Sequence, residues 1–600
     1  MQTKTRVTKL ISKAVVLTFL PLVIANVANA QTLPTGATVV AGDLSFSGGA
    51  TYLDVTQTSA TGIINWDTFS IGAGDTVSFD NGSGSTLNRV TGNQMSEIMG
   101  MLTATGSLYL VNENGVVFGP NGVVNTGGDF IVSTLDVSDV DYLNGGSLEF
   151  TGNAAANIRN YGSLFSANGD IAIISREVIN EGVILAPNGR ASLIAGRDVL
   201  MRDSSVDDGR FLVRIGHATD AVYEQGIIEA AEVELATNGG NIYALAGNNS
   251  GHIQATGVAN RGGRVFLTAG SSGNVQVSKT VRVRKSNGSG GTINLAAANF
   301  TVDGTLDASG DTGLGGVVDL LAEVDANFSG SILAYGDGSP NTGGVVSVSG
   351  LGSVMFSGDV LTGGGVLVID PADIEINANG APGTPDLIGA SEINTGSLVT
   401  ALNSGDVIIH TGAAGAASGT INVADDIFYS SAFDLTLLAN GDITVLASIV
   451  NDTTTGGDIN LVAGWDGTVP AVFDSAAYNA LDLTTLTEFG QANGVAYNHS
   501  AGEMAGGGPY TASGSVFIGN DNQLTPIEVG SRSGDTNVYA NDVYIVGGAQ
   551  TAGTHTQLGF QSVNQGAGSN VTGDLRVRAV GNVGVYGGLN ADNYVMIGHG

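Results

Sequence analysis

A Gly-Gly pair followed by alternating apolar and polar residues recurs through the middle of the chain. The copies read GGNIYALA, GGRVFLTA, GGTINLAA, GGVVDLLA, GGVVSVSG, GGVLVID and GGDINLVA, and they begin at Gly239, Gly262, Gly290, Gly315, Gly343, Gly364 and Gly456. Successive starts among the first six differ by 23, 28, 25, 28 and 21 residues. Period-two alternation after a glycine turn predicts a β-strand with one buried face, and this spacing is typical of a solenoid coil.

The apolar positions of these copies fall into two shared slots. The first slot holds Ile242, Val265, Ile293, Val318, Val346 and Ile459, and two residues later come Ala244, Leu267, Leu295, Leu320, Val348 and Leu461. One coil cannot bury its apolar side alone, whereas stacked coils bury it against their neighbours. The sequence therefore predicts an all-β fold, a right-handed parallel β-helix with ~20–25 residues per coil and ~4.8 Å between coils.

Other local patterns add detail to this prediction. Stacked asparagines are expected to form hydrogen-bonded ladders where Asn-x-Gly precedes an apolar segment, at Asn125-Gly127, Asn160-Gly162 and Asn180-Gly182. Helical signal is sparse, and its best candidates are Asn93–Leu102 and Asn479–Phe489.

Two interruptions suggest how the rest of the chain is organised. The Asp370-Pro371 step removes a backbone donor, so a soft boundary is expected there, between β-helical repeats at 271–370 and further strand repeats at 371–600. The rhythm also breaks near 465–513, which predicts an irregular insertion.

The first thirty residues form a targeting segment by pattern. Four basic residues lead into an apolar run that is too short to span a membrane, and a small-x-small site follows at Ala28-Asn29-Ala30. We expect a signal peptide over 1–30, cleaved between Ala30 and Gln31.

Composition narrows the possible functions. The chain has 92 Gly, no Cys and a formal charge of −34; without the four basic residues of the targeting segment the charge is −38. Such a surface repels nucleic acid, and the absence of Cys means that the chain has no disulfides.

Residues 88–135 carry the most specific motifs. An element Trp66-Asp67-Thr68-Phe69 is followed by Asn88-Arg89-Val90, and Asn112-Glu113-Asn114-Gly115 follows an apolar strand. Together they resemble the secretion domain of two-partner-secretion exoproteins, which include filamentous haemagglutinin and the high-molecular-weight adhesins. The resemblance covers roughly 32–270, and Glu113 replaces the Pro of that family's Asn-Pro-Asn-Gly turn.

The resemblance implies N-terminal capping strands and a secretion domain over 31–270. It also implies binding to the periplasmic modules of a cognate outer-membrane pore, and a secreted or cell-surface protein of a Gram-negative bacterium. The residues expected to serve recognition are Asn88, Arg89, Val90, Asn112, Asn114 and Gly115. For Asn112, Asn114 and Gly115 the alternative is that they are simply turn formers of the β-helix. The resulting function is attachment to cells or surfaces, as an adhesin that grips host or bacterial surface receptors or glycans. A delivery stalk for a toxin beyond residue 600 and a polysaccharide-active enzyme are the alternatives.

Motifs for catalysis or cofactors are weak. Asp207-Asp208, Asp425-Asp426 and Gly598-His599-Gly600 lie in the wrong order for a polygalacturonate hydrolase, which predicts that the protein is not an enzyme. The six His have no ligand spacing, and Asp311-Thr312-Gly313 fits a hydrogen-bonded turn better than a calcium loop. We predict no metal and no cofactor.

Overall fold

The computed structural model describes residues 33–203, 209–246, 251–259, 261–378, 391–411, 418–465, 514–520, 522–549, 552–561, 571–588 and 590–599. The predicted signal peptide, its cleavage residues Ala30 and Gln31, the Asn479–Phe489 helix and all of the 465–513 insertion except Trp465 lie outside these residues.

The described chain forms 52 strands and two short helices. The first part contains β1 Thr38–Ala41, β2 Leu44–Gly48, β3 Tyr52–Gln57, β4 Thr61–Trp66, β5 Thr76–Asp80, β6 Ser85–Val90, β7 Ser96–Ile98, β8 Met101–Ala104, β9 Ser107–Val111, β10 Val116–Phe118, β11 Val123–Thr126, β12 Phe130–Ser133, β13 Asp136–Val137, α1 Asp139–Asn144, β14 Leu148–Thr151, β15 Ile158–Asn160, β16 Ser163–Ser166, β17 Ile171–Ser175, β18 Glu177–Asn180, β19 Val183–Ala195, β20 Asp198–Met201, β21 Phe211–Ile215, β22 Ala221–Glu224, β23 Ile227–Thr237, β24 Asn241–Ala244, β25 His252–Thr256 and β26 Arg264–Val277. The middle part contains β27 Thr280–Arg284, β28 Thr292–Val302, β29 Thr305–Asp307, β30 Val317–Phe328, β31 Ser331–Leu333, β32 Val345–Gly350, β33 Ser353–Phe356, β34 Asp359–Leu361, β35 Val366–Pro371, β36 Ile374–Asn377, β37 Ser391–Asn394, α2 Thr395–Leu402 and β38 Asp406–Thr411. The last part contains β39 Ile421–Val423, β40 Ile427–Tyr429, β41 Leu435–Ala439, β42 Ile443–Val445, β43 Ile449–Asn451, β44 Ile459–Ala463, β45 Ser515–Ile518, β46 Ile527–Ser531, β47 Thr536–Ala540, β48 Asp542–Val546, β49 Thr556–Leu558, β50 Leu575–Ala579, β51 Val583–Tyr586 and β52 Val595–Ile597.

Most of these strands stack in parallel, each on its equivalent in the next coil. The predicted slot is visible in the register, where Val265 pairs with Ile293, Ile293 with Val318, and Val318 with Val346. One apolar core runs the length of the stack, and nearly all of its side chains are fully buried. Each such aliphatic side chain contributes roughly 1.5–3 kcal/mol, and the fold depends on their sum. The predicted all-β class, parallel β-helix and N-terminal capping strands are confirmed.

Antiparallel strands close the N-terminal end. β1 pairs with β4 and β2 pairs with β3, both antiparallel, before the parallel coils begin. The rings of Phe46 and Phe69 pack edge-on against Trp66, at centroid distances of 5.9 and 5.5 Å. This aromatic cluster covers the first coil, so the Trp-x-x-Phe element is part of the cap.

A second, lateral sheet was not expected from the sequence. β13, β14, β20 and β21 form an antiparallel sheet on the outside of the β-helix. Its inner face buries Phe150 and Val199 against outward-facing coil residues such as Ile131 and Ile174. Helix α1 adds Tyr142, which stacks edge-on with Tyr109 and donates a hydrogen bond to Ser85.

A polar ladder lies inside the coils where two Asn-x-Gly motifs meet. Asn160 Nδ2 donates to Asn180 Oδ1 at 2.8 Å, and Asn180 Nδ2 donates to Glu224 Oε2 at 2.7 Å. Lys279 Nζ completes it with an ion pair to Glu224 at 3.0 Å, and both side chains are fully buried. Asn125 is exposed and belongs to a different column, so the expected ladder holds for two of the three motifs.

Two local predictions are wrong. The proposed helix at Asn93–Leu102 is instead two strands, β7 and the start of β8, because the coil ladder supplies hydrogen bonds that a short helix would lack. Ile242 and Ala244 pair with Val222 and Glu224, and with the second half of β26, so they occupy a different column from Val265 and Leu267.

The β-helix continues past the Asp-Pro step. β35 includes Pro371 and pairs with β32 to its end, whereas its ladder to β38 stops at Ile369, which is consistent with the donor that proline lacks. β40, β43, β46, β49 and β52 form a separate five-stranded parallel sheet in the later coils. Neither helix of the described residues has the length and apolar character that crossing a membrane demands.

Candidate functional site

The Asn112-Glu113-Asn114-Gly115 segment forms a tight turn between β9 and β10. Gly115 N–H donates to Asn112 O at 3.0 Å, and neither central residue has a positive φ. That combination fits a type I turn, in which Asn is favoured at the first position and Gly at the fourth. Asn112 Oδ1 also accepts the Asn114 N–H at 2.9 Å, so the asparagine folds the turn back on itself.

Both asparagine amides attach the turn to the preceding coil. Asn112 is fully buried, and its Nδ2 donates to Gln94 O at 3.0 Å and Ser96 Oγ at 2.9 Å. Asn114 is only partly buried, and its Nδ2 donates to Gly92 O at 2.9 Å. The turn therefore fixes the position of the loop that follows Asn88-Arg89-Val90.

Gly115 is required by its backbone conformation. Its φ of 101° lies in the region that favours glycine, and a Cβ there would lie 2.9 Å from Asn157 O in the next coil. A side chain at this position would strain the turn and push it away from its neighbour.

Asn88 and Val90 face the interior. Asn88 is fully buried, and its Oδ1 accepts the indole N–H of Trp66 at 3.0 Å, while its Nδ2 donates to Tyr109 O at 3.3 Å. Val90 is part of the apolar core. These two residues build the site and do not present a side chain to a partner in the folded domain.

Arg89 points outward and connects the coils to the lateral sheet. Its guanidinium forms ion pairs with Asp136 and Asp139, each at 2.8 Å, and donates to Val137 O at 2.8 Å. Burial alone would lower the pKa of Arg89, but the two carboxylates outweigh it and raise the pKa above its ordinary value. The ion pairs hold β13 and the start of α1 against β6.

The Asn88-Arg89-Val90 motif and the Asn112-Glu113-Asn114-Gly115 turn line one open cleft of about 650 Å³. Its walls combine the loop after β6, the Asn-Glu-Asn-Gly turn and the lateral sheet, and its lining comprises Arg89, Val90, Thr91, Gly92, Asn93, Val111, Glu113, Asn114 and Asp136. Asn93 and Glu113 are exposed on its rim. Arg89, Val90 and Asn114 thus line one cleft, with Asn112 behind the turn and Gly115 and Asn88 buried beneath.

Asp136, Asp139 and Ser96 are site residues that sequence inspection missed. Asp136 lies 47 residues from Arg89 along the chain, in the lateral sheet that no repeat pattern announced. The Ser138 cap before Asp139 and Asp141 was the available signal, because Ser followed by acidic residues is a helix start.

The residues considered for catalysis serve the backbone of neighbouring coils. Asp425 accepts the Ala378 N–H at 2.6 Å, Asp426 accepts the Ser448 N–H at 2.8 Å, and His599 accepts the Phe560 N–H at 3.1 Å. Asp207 and Asp208 lie outside the described residues. Within the described part of the chain, no group of three or more His, Asp or Glu side chains has an arrangement that suits a metal ion.

Comparison with known proteins shows that this site lies in a region that matches a known domain family. The family model of the TPS secretion domain matches residues 30–277. A heme/hemopexin-binding protein of Haemophilus influenzae strain KW20 / Rd is 32% identical over 258 residues, which is 41% of this chain and 28% of that protein. A second heme/hemopexin-binding protein of Haemophilus influenzae is 35% identical over 101 residues, 16% of this chain and 11% of that protein. The chain spans less than a third of the length of these curated relatives.

Two solved structures are also similar. The HMW1 secretion domain from Haemophilus influenzae has 22% identity and a TM-score of 0.46, covering 56% of this chain and 95% of that one. A filamentous hemagglutinin secretion domain has 15% identity and a TM-score of 0.35, covering 48% of this chain and 99% of that one. The resemblance drawn from Asn88-Arg89-Val90 and Asn112-Glu113-Asn114-Gly115 is confirmed by the family match: residues 30–277 match the TPS secretion domain of two-partner-secretion exoproteins.

Proposed function

We propose that the cleft between the Asn-Arg-Val loop and the Asn-Glu-Asn-Gly turn is the surface that the periplasmic modules of a cognate outer-membrane pore bind. The observation that carries this proposal is that two motifs 22 residues apart are joined by the Asn114–Gly92 hydrogen bond and open onto one cleft. In this proposal Asn88, Val90, Asn112 and Gly115 shape the surface from below. Arg89, Asn93, Glu113 and Asn114 are the groups a partner touches.

Export measurements test this proposal. The variants Asn93→Ala and Glu113→Lys change exposed rim side chains, and Asn125→Ala is the matched control because Asn125 is an exposed asparagine outside the cleft. We expect deletion of the pore to abolish appearance of the protein in the medium, the rim variants to reduce it severalfold, and the control to leave it unchanged. Rim variants that are exported at the wild-type level would refute the role of the cleft.

A variant of a buried residue, compared with the rim variants, distinguishes a folding defect from a recognition defect. Asn112→Ala removes two hydrogen bonds to the previous coil and is expected to lower both export and the thermal stability of the purified domain. The rim variants are expected to lower export alone. If Glu113→Lys also lowers stability to the same extent, the export defect is a folding defect.

For the whole protein we propose attachment to cells or surfaces. The support is the repetitive, outward face of a long β-helix, on which many weak contacts give avidity without a single deep pocket. Purified protein is expected to bind host cells, bacterial surfaces or a glycan array, with affinity that falls steeply when coils are removed. Absence of binding to all three would leave only a scaffold role.

Heme or hemopexin binding is the second candidate, and the two Haemophilus relatives are the observation that favours it. The stretch aligned to the first relative has 258 residues, so it is about as long as the secretion domain matched at residues 30–277. Titration with hemin, followed by the Soret absorbance, and capture on immobilised hemopexin distinguish this candidate from attachment. Saturable binding to either would favour it.

A further inference from the structure

One outer column of the β-helix carries ionisable groups at both ends. We define the corner column as the residues that immediately precede a continuous column of inward-facing side chains running from Phe130 to Leu575. Its members are Asp129, Asp170, Arg190, Glu232, Arg264, Thr292, Val317, Val345, Val366, Asp406, Asp434, Asp458, Asp535 and Asp574. The last five, all aspartates, are the acidic column.

Each aspartate of the acidic column is hydrogen-bonded to the next. Asp406 Oδ1 accepts the Asp434 N–H at 2.9 Å, and Asp434 Oδ1 accepts the Asp458 N–H at 2.7 Å. The same bond joins Asp458 to Asp535 at 2.7 Å and Asp535 to Asp574 at 2.8 Å. Consecutive carboxylates are therefore held one coil apart, about 4.8 Å, with four of the five partly buried.

Few other charged or titratable groups face this column. Arg576 pairs with Asp535 and Asp574 at the far end, and it is the cation that acts on Asp458. Tyr429, which is 6% exposed, lies close enough to interact with Asp406, Asp434 and Asp458. Asp406 and Asp434 thus have like charges beside them and, within the described part of the chain, no neighbouring cation.

We propose that the acidic column is a pH-sensitive element, which holds the C-terminal coils tightly in mild acid and loosens them as the pH rises through neutrality. Protonation of one carboxyl in a stack removes repulsion from both neighbours while its remaining oxygen still accepts the next N–H. Ionisation restores the repulsion, and partial burial further disfavours the charged form of these carboxyls.

The direction of the pKa values agrees with this geometry. Burial first, and then the charge of Asp406, raise the pKa of Asp434 to about 7, and burial raises the pKa values of Asp406 and Asp458 as well. A folded-state pKa above the unfolded value means that the folded state binds more protons between the two. The stabilisation is complete below the ordinary Asp pKa of about 3.9 and is lost as the pH rises toward 7.

Hydrogen exchange on the secreted, full-length protein tests the proposal. Peptides that cover β38, β41 and β44 are compared at pH 5 and pH 8, after correction for the intrinsic exchange rate. In the wild type we expect their protection to fall at least about tenfold, the factor that one unit of pKa shift represents. In Asp434→Asn, whose amide oxygen still accepts the Asp458 N–H, most of that fall should disappear.

Asp170→Asn is the matched control, because Asp170 belongs to the same corner column and accepts the Arg190 N–H at 2.9 Å, but is paired with Arg261 at 3.0 Å. It should lower protection of its own coil at pH 8, the opposite sign. Equal pH dependence in the wild type and Asp434→Asn would overturn the proposal. If that variant does not fold, 1 M NaCl on the wild type decides: greater protection of β41 at pH 8 but not at pH 5 supports it, and an equal response at both pH values overturns it.

Discussion

The corner column carries hydrogen-bonded carboxylates both in the secretion domain and in the C-terminal coils, but the two regions differ in how the charge of those carboxylates is neutralised. In both regions a carboxylate accepts the N–H of the next residue in the column, as in Asp129 to Asp170 at 2.8 Å and Asp434 to Asp458 at 2.7 Å. In the secretion domain, however, Glu232 lies between Arg190 at 2.8 Å and Arg264 at 2.7 Å. The hydrogen bond is thus a property of the coil, whereas neutralisation of its charge is a property of the region.

The distribution of cations along the sequence explains the difference. No Lys or Arg occurs between Lys285 and Arg532, so the coils of that stretch have no cation of their own to place beside a carboxylate. The secretion domain uses its arginines to fix both its coils and its lateral sheet, as Arg89 does with Asp136 and Asp139.

The largest expected effect comes from the buried ion pair between Glu224 in the secretion domain and Lys279, which lies two residues past the family match. Lys279→Met leaves Glu224 without its cation, and removal of one partner of a buried pair costs about 3–5 kcal/mol. Chemical denaturation of the purified protein should show this loss. The double variant Lys279→Met/Glu224→Gln should recover much of it, and if it does not, the cost lies in packing of the lysine chain.

The next prediction is that the secretion domain loses stability in acid, opposite to the response expected of the acidic column. Burial would raise the pKa of Glu232, but Arg190 and Arg264 outweigh burial and lower it. The stability that this pair provides is therefore present above the ordinary Glu pKa and is lost as the pH falls through the folded-state value. Glu232→Gln should cost about 2 kcal/mol at pH 7 and flatten the unfolding profile of the domain between pH 5 and 3. A profile that steepens in the variant would contradict the assignment.

Much of this architecture can be predicted from the sequence, because each coil repeats a glycine turn that is followed by period-two alternation of apolar and polar residues. Val265, Ile293, Val318 and Val346 were placed in one column by pattern alone, and the turn at Asn112 follows from its residue types. Ile242 was misplaced because its Gly-Gly pair turns a different corner of the coil. The lateral sheet was missed because its strands alternate as coil strands do.

The corner column itself could not be found by pattern. Neighbours in it are separated by 20 residues between Asp170 and Arg190 but by 77 between Asp458 and Asp535. No fixed period connects such positions, and only the strand register brings them together. The same holds for Arg89 and Asp136, whose contact depends on how the lateral sheet folds back.

A further aspartate placed next to the acidic column tests whether like charges within the column repel one another. Val366 pairs with Asp406 and is the last apolar member of the corner column. Val366→Asp adds a like charge beside Asp406, so it should destabilise the C-terminal coils by roughly 1 kcal/mol more at pH 8 than at pH 5. Val366→Asn is the control of equal size, and a similar pH dependence in both variants would show that Asp406 does not sense its neighbour.

The smallest effect is expected at the turn of the cleft. Glu113 stands at the second position of a type I turn, where Pro is favoured, and its backbone N–H donates no hydrogen bond among the described residues. Glu113→Pro should therefore stabilise the secretion domain by about 0.4–1 kcal/mol, because proline reduces the conformational freedom of the unfolded chain. Thermal unfolding of the domain measures the gain in stability. Glu113→Ala is the control, because it removes the charge of Glu113 and keeps the conformational freedom of the unfolded chain. A loss of stability in Glu113→Pro would show that the turn departs from type I geometry. Stabilisation without any change in export would show that the pore reads the shape of the turn and not the carboxylate of Glu113.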